Sequence, residues 1–216
     1  MTAAELIAHL RSLRNETNIA GMRRFGIVTQ HEQLGIDLTT LRTLARPHRR
    51  DHALALELWD SGVMEAMLCA TFIDDPQKIS SAQMERWVRA ADSWNLTDAL
   101  AFLFDRTALA EKKAHTWSGR RPEFIKRTGF ALMAGMAVHR KELPDEIFLG
   151  FLPVIRREAS DERNFVKKGV NWALRQIGKR SPRLRRAARA EARRILRLDT
   201  PAARWIARDA LRELGQ

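Results

Sequence analysis

Trp94 and Asp98 stand four residues apart in Ser93-Trp94-Asn95-Leu96-Thr97-Asp98. On a helix that spacing places them one turn apart on the same face. The indole offers a flat contact surface. The carboxylate beside it can stabilise a developing positive charge or orient a water. Leu96, Ala99, Leu100 and Leu103 gather on the other side of the same helix, which predicts that Trp94 and Asp98 face away from its core. The bland alternative is a solvated acid beside an aromatic, and no second acid is clearly paired with Asp98.

A second constellation lies in residues 162–179. At about 100° per residue, Val166, Val170, Ala173, Leu174 and Ile177 form one apolar stripe. Lys168, Trp172, Arg175 and Lys179 fall on the opposite side. Trp172 is therefore a platform for a ligand, a cation–π partner for its neighbours, or a ring covered by another helix. A third stretch, residues 122–139, is apolar almost all round after its first turns, as a helix buried between neighbours would be. Arg127 shares a face there with Phe124, Ala131, Ala134 and Val138. A guanidinium in that setting needs a partner, because an unpaired buried charge is very costly. Asp98, a backbone carbonyl and a phosphate reached by snorkelling are the options.

Other chemistry finds no foothold. The six histidines have no metal-ligand spacing with Cys69 or with acids, and His48 and His52 flank a helix break. No glycine-rich nucleotide loop or Gly-x-Ser-x-Gly elbow occurs. One cysteine excludes an internal disulfide and fits a reducing cytoplasm. The N-terminus carries Glu5 where a signal peptide would be basic, and the longest apolar stretch, 128–139, is too short to span a bilayer.

The elements that must position these residues read as helices throughout. Tyr is absent and Ala, Leu and Arg dominate. Helices are predicted at 2–13, 17–28, 38–47, 51–60, 62–74, 81–91, 93–105, 107–116, 122–139, 145–158, 162–179, 182–197 and 201–214. Ser181-Pro182 and Thr200-Pro201 each set a capping hydroxyl before a proline suited to the first turn. Asp161 is the expected cap of the helix after it, and Asp92 or Ser93 of the helix holding Trp94. Helices at 2, 38, 81, 122 and 162 each precede a second helix at a period near 40 residues. That is the spacing of two-helix repeats of the HEAT or armadillo kind, against a globular bundle as the alternative. The expectation is an all-α solenoid forming one domain over 1–216, with a concave face for an extended partner.

Charge narrows the partner. Residues 1–120 balance 15 basic against 15 acidic side chains, whereas residues 121–216 carry 23 against 11. The whole excess of +12 lies in the C-terminal part. Nucleic acid is the leading partner, because phosphate neutralisation and counterion release drive such binding. A basic tail that only solvates is the plain alternative.

With these residues in view, the chain resembles the AlkD-type DNA alkylation-repair proteins, which are HEAT-like-repeat DNA glycosylases. The resemblance runs along most of the chain. It is strongest in Leu58-Trp59-Asp60-Ser61-Gly62, Phe72-Ile73-Asp74-Asp75-Pro76 and Asp92-Ser93-Trp94-Asn95-Leu96-Thr97-Asp98. It continues in Phe124-Ile125-Lys126-Arg127, in residues 161–168, in Asn171-Trp172-Ala173-Leu174-Arg175 and in Ala203-Arg204-Trp205. It departs from the family pattern at Asn95, Thr97 and Phe124. The resemblance implies a cationic groove on duplex DNA and excision of cationic N3- and N7-alkylpurines without drawing the base into a pocket. It implies that Asp98 stabilises the cationic sugar, that Trp94 and Trp172 pack against the lesion's backbone, and that Arg127 holds phosphate. Lys168, Arg175 and Lys179 are expected to add DNA contacts. The expected partner is duplex DNA containing alkylated bases, met by a cytoplasmic, nucleoid-associated monomer with no cofactor, metal or membrane. A catalytically silent DNA-binding solenoid and a protein-interaction scaffold are the alternatives; the charge argues against the scaffold, and Asp98 separates the first two readings.

Overall fold

The computed structural model describes residues 1–215. Among them are thirteen α-helices and no strand, with one isolated bridge between Glu32 and Val63. The helices are α1 (Ala3–Ser12), α2 (Glu16–Arg24), α3 (Leu38–Ala45), α4 (His52–Asp60), α5 (Met64–Ile73), α6 (Ser81–Ala90) and α7 (Trp94–Phe104). They continue as α8 (Ala110–Ser118), α9 (Glu123–His139), α10 (Asp145–Glu158), α11 (Asn164–Arg180), α12 (Pro182–Leu196) and α13 (Pro201–Leu214). Each coincides with a helix expected from the sequence. The exceptions in extent are α8, which starts at Ala110 where 107 was expected, and α2, which stops at Arg24. Gly26 then adopts a φ of 74° and turns the chain, so that Ile27 is buried while Phe25 and Val28 are exposed.

The caps divide. Ser181 accepts the Leu184 amide at 3.1 Å and Thr200 the Ala203 amide at 3.2 Å, as the Ser-Pro and Thr-Pro pairs predict. Asp161 does not cap α11. The residue before α11 is Arg163, without a side-chain cap, and the Asp161 carboxylate is occupied by the guanidinium of Arg163 and by Lys126. Nor does Asp92 serve α7, for it accepts from the Thr29 hydroxyl at 2.6 Å and the Gln30 amide at 2.7 Å. Ser93 directly precedes α7, but its buried hydroxyl has no hydrogen-bond partner among the described residues.

The chain forms two compact units, residues 1–103 and residues from 104 onward. No linker separates them in the sequence; the boundary falls in the last turn of α7. In the first unit α4 and α5 pack together, α3 lies against α5, and α1 meets both. α5 is buried on every side, including Cys69. Glu65 within it accepts the amides of Leu34 and Gly35 at 2.9 and 2.7 Å, pinning the long α2–α3 connection. Trp59 of α4 stacks on Trp87 of α6 with centroids 4.2 Å apart.

In the second unit α9, α11 and α13 pack side by side. α8, α10 and α12 form a second row behind them, with α12 lying against both α11 and α13. Two glycines allow the closest approaches. A Cβ on Gly129 would sit 2.4 Å from the Ser118 amide nitrogen, and one on Gly178 would sit 2.5 Å from a Leu214 methyl. Arg180 closes the end of this unit. Its guanidinium donates to the carbonyls of Ala137, Lys141 and Leu143 and lies 4.2 Å over the Phe148 ring.

Candidate nucleic-acid interface

In the first unit, α7 places Leu96, Leu100 and Leu103 in the core and leaves Trp94, Asp98 and Ala99 half-buried. Ala99, expected on the core side, therefore sits at its margin. Trp94 and Asp98 share one turn, as their spacing requires. The indole is fixed by a hydrogen bond from its Nε1 to the Phe25 carbonyl at 3.0 Å. The early end of α2 is what makes that carbonyl available, since a helix continuing through Phe25 would occupy it.

In the second unit, α11 behaves as its periodicity predicts. Val166, Val170, Ala173, Leu174 and Ile177 are completely buried. Lys168 and Lys179 are exposed, and Trp172 and Arg175 half-buried, on the opposite strip. Their partners separate them. Arg175 bonds Asp209 at 2.8 Å and also pairs with Glu213, which in turn holds Lys179. Burial pushes the Asp209 carboxyl up, but Asn171 and Arg175 outweigh it and hold the group below its ordinary range. Lys168 has no carboxylate partner among the described residues; its ammonium lies 6.0 Å over the Phe165 ring.

Arg127 is buried, at 6% exposure, on α9. One of the options open to it, a backbone carbonyl, is realised: its Nη1 donates to the Phe165 oxygen at 2.9 Å, tying α9 to the first turn of α11. Beneath it, Lys126 joins Glu158 at 2.6 Å and Asp161 at 3.2 Å. The Arg163 guanidinium beside Asp161, helped by the Arg163 amide and Lys126, outweighs burial and holds that carboxyl at about 2.

Trp94 and Asp98 thus come together on α7, and Arg127, Lys168, Trp172, Arg175 and Lys179 belong to neighbouring helices of the second unit. The sequence reasoning overlooked the aromatic extension of the α11 strip. Phe165 lies seven residues before Trp172, hence on the same side of the helix, and forms a tilted ring pair with Phe124, centroids 5.6 Å apart. Trp205 on α13 is 41% exposed and carries Lys167 5.4 Å over its ring. The seven-residue spacing was a usable signal for Phe165.

Comparison with known proteins identifies the fold and the family. A solved structure described as belonging to a new family of proteins related to the HEAT-like repeat DNA glycosylases, with affinity for branched DNA structures, superposes with a TM-score of 0.80. The superposition covers 98% of this chain and 95% of the other, at 18% identity, so it is the HEAT-like repeat fold that the two share. Uncharacterized proteins of Listeria monocytogenes and Listeria innocua are each 24% identical over 149 residues. Those matches cover 67% of this chain and 65% of the relatives, just under two thirds of their own length. The family model described as DNA alkylation repair enzyme matches residues 6–214, nearly the whole sequence. The chain belongs to the DNA alkylation repair enzyme family.

Proposed function

We propose that this protein is a DNA glycosylase that releases cationic N3- and N7-alkylpurines from duplex DNA without flipping the base into a pocket. The observation that carries the reading is the pairing of Trp94 and Asp98 on one turn of α7, outside its leucine core, in a chain of the DNA alkylation repair family. An alkylated purine already bears positive charge. When the N-glycosidic bond breaks, the base takes the bonding pair and leaves neutral, and the positive charge passes to the deoxyribose. One carboxylate near that sugar stabilises the transition state more than the ground state. Water then adds to the anomeric carbon and loses a proton. Neither a general acid for the leaving group nor a cofactor is needed. Trp94 and Trp172 pack against the backbone at the lesion, while Arg127 and Lys168 bring positive charge to the phosphates. Arg175 and Lys179 reach DNA by exchanging Asp209 and Glu213 for phosphate.

A second reading is a monomeric binder of branched or distorted DNA that excises nothing. It draws on the fold shared with the structure described as having affinity for branched DNA. One experiment separates the two: single-turnover incubation with duplex containing N7-methylguanine, followed by analysis for free base, for wild type and Asp98→Asn. The expected outcome is release by wild type and a loss on the order of 10²–10³ in the variant, the usual effect of removing one preorganised electrostatic contact. Duplex affinity should be equal or higher in the variant, because a negative charge has been removed. Equal release rates would remove Asp98 from the mechanism. No release by either protein, with preference for a junction over linear duplex, would favour the second reading.

A further inference from the structure

The proposed site leaves the densest charge on the chain without a role. α12 carries six arginines, and Arg197 follows as its C-cap. Two of the six are committed, Arg183 to Glu146 at 2.5 Å and Arg194 to Glu191 at 2.8 Å. Arg186, Arg193 and Arg197 are exposed and have no carboxylate partner among the described residues. Their spacings of seven and four residues bring them into one narrow sector of the helix, with Arg189 at its edge. The buried face, formed by Leu184, Ala188, Ala192 and Ile195, is opposite. The single acid of α12, Glu191, is 2% exposed and turned inward, held by Arg156 and Arg194.

Five other cations of the second unit are neutralised where this row is not. Lys126, Arg157, Arg163, Arg175 and Lys179 all sit on carboxylates. On α12 the arginines instead repel one another along the helix, at some cost to its stability. The row brings three arginines to solvent without a carboxylate partner among the described residues. It contains no lysine, and the guanidinium fork matches phosphate geometry where an ammonium does not. From Arg186 to Arg197 it runs about 16 Å at 1.5 Å per residue, close to five base-pair steps of a duplex at about 3.4 Å each. Since α12 lies behind α11 and α13, its outer face is on the far side of this unit from the Lys168–Trp172 strip.

We infer that the Arg186–Arg193–Arg197 row is a second binding surface for the sugar–phosphate backbone of duplex DNA. The protein can then hold one segment on the α11 side and another on α12. The inference rests on the proposed reading only for the first of these segments.

The test uses the full chain with short unmodified duplex in excess, in dilute salt, and sedimentation to count duplexes per protein. Wild type is expected to hold two, and R186Q/R193Q/R197Q one. Each phosphate contact contributes about tenfold to affinity at 0.1 M salt relative to 1 M, so the second duplex should bind the variant on the order of 10²-fold or more weakly. R186K/R193K/R197K keeps the charge and should retain measurable second-duplex binding. Release of N7-methylguanine should be unaffected by R186Q/R193Q/R197Q, and Asp98→Asn should still hold two duplexes, so failure of one reading is distinct from failure of the other. Saturation of wild type at one duplex, or two duplexes on the glutamine variant, overturns the inference. So does binding of wild type to phosphatidylserine–phosphatidylcholine vesicles through this row in place of the second duplex.

Discussion

At the scale of single residues, Lys168, Arg175 and Lys179 look alike in sequence and separate on their partners. Lys168→Ala should lower duplex affinity and reduce the salt slope by about 0.9, the loss of one phosphate contact. Arg175→Ala should in addition cost stability, about 1–3 kcal/mol, because Asp209 and Glu213 lose a charged partner. Salt-titrated binding beside urea unfolding of both variants checks the contrast, and the reverse pattern would make Lys168 structural. Trp172→Ala should weaken binding to damaged duplex by about 1–3 kcal/mol with little change in fold; a loss of several kcal/mol in stability instead would identify the half-buried ring as core. Asp161 gives a pH dependence. Its carboxyl lies at about 2 in the folded chain against an ordinary 3.8, so the folded state favours the ionised form. That stabilisation is fully present above about pH 4 and is lost as pH falls through 2. It amounts to about 2 kcal/mol. Urea unfolding at successive pH values between 5 and 2 should show it, and Asp161→Asn should flatten that part of the profile. Which residues share a face of α7 or α11 was legible from type and spacing. How much charge each has to spare was not, because Asp209 and Glu213 lie more than thirty residues away in the chain.

At the scale of elements, the helices were legible because their signals are local. Apolar residues recur with the period of a helix, and hydroxyl–proline pairs mark the starts of α12 and α13. The failures came where tertiary contacts outbid a local preference. Asp161 and Asp92 are good capping types, yet each carboxylate bonds more strongly elsewhere, to Arg163 and Lys126 or to Thr29 and Gln30. Small residues in α9 pointed to close packing, and Gly129 shows its extent. Gly129→Ala would drive a methyl into the backbone of Ser118, which cannot turn aside. The expected cost is about 1–3 kcal/mol, or roughly 2–4 °C in Tm for each kcal/mol in a chain of this size. A thermal scan of the variant measures it. An unchanged Tm would mean that α8 and α9 can part without loss, and with them the placement of Arg127.

At the scale of the whole molecule, the repeat period and the charge asymmetry were both legible in the sequence. The division into units was not, because it runs through α7 where neither composition nor a flexible linker marks it. The charge predicts a steep salt dependence, with duplex affinity falling on the order of 10³ between about 50 and 200 mM salt; a flat dependence in a filter-binding titration would remove phosphate contacts as its basis. Cys69 offers a different view of the same molecule. Its thiol is buried in α5, beside the Leu41 carbonyl, and burial pushes its pKa up to about 12. A disulfide reagent can attack it only when the first unit opens, so the rate of thiol labelling in native buffer times that opening. With one thiol in the chain, every labelling event reports on residues 1–103 and none on the arginine-rich half. If saturating duplex slows the reaction, DNA held by either unit is restraining the breathing of the first; if the rate is unmoved, the first unit opens and closes with the DNA still in place.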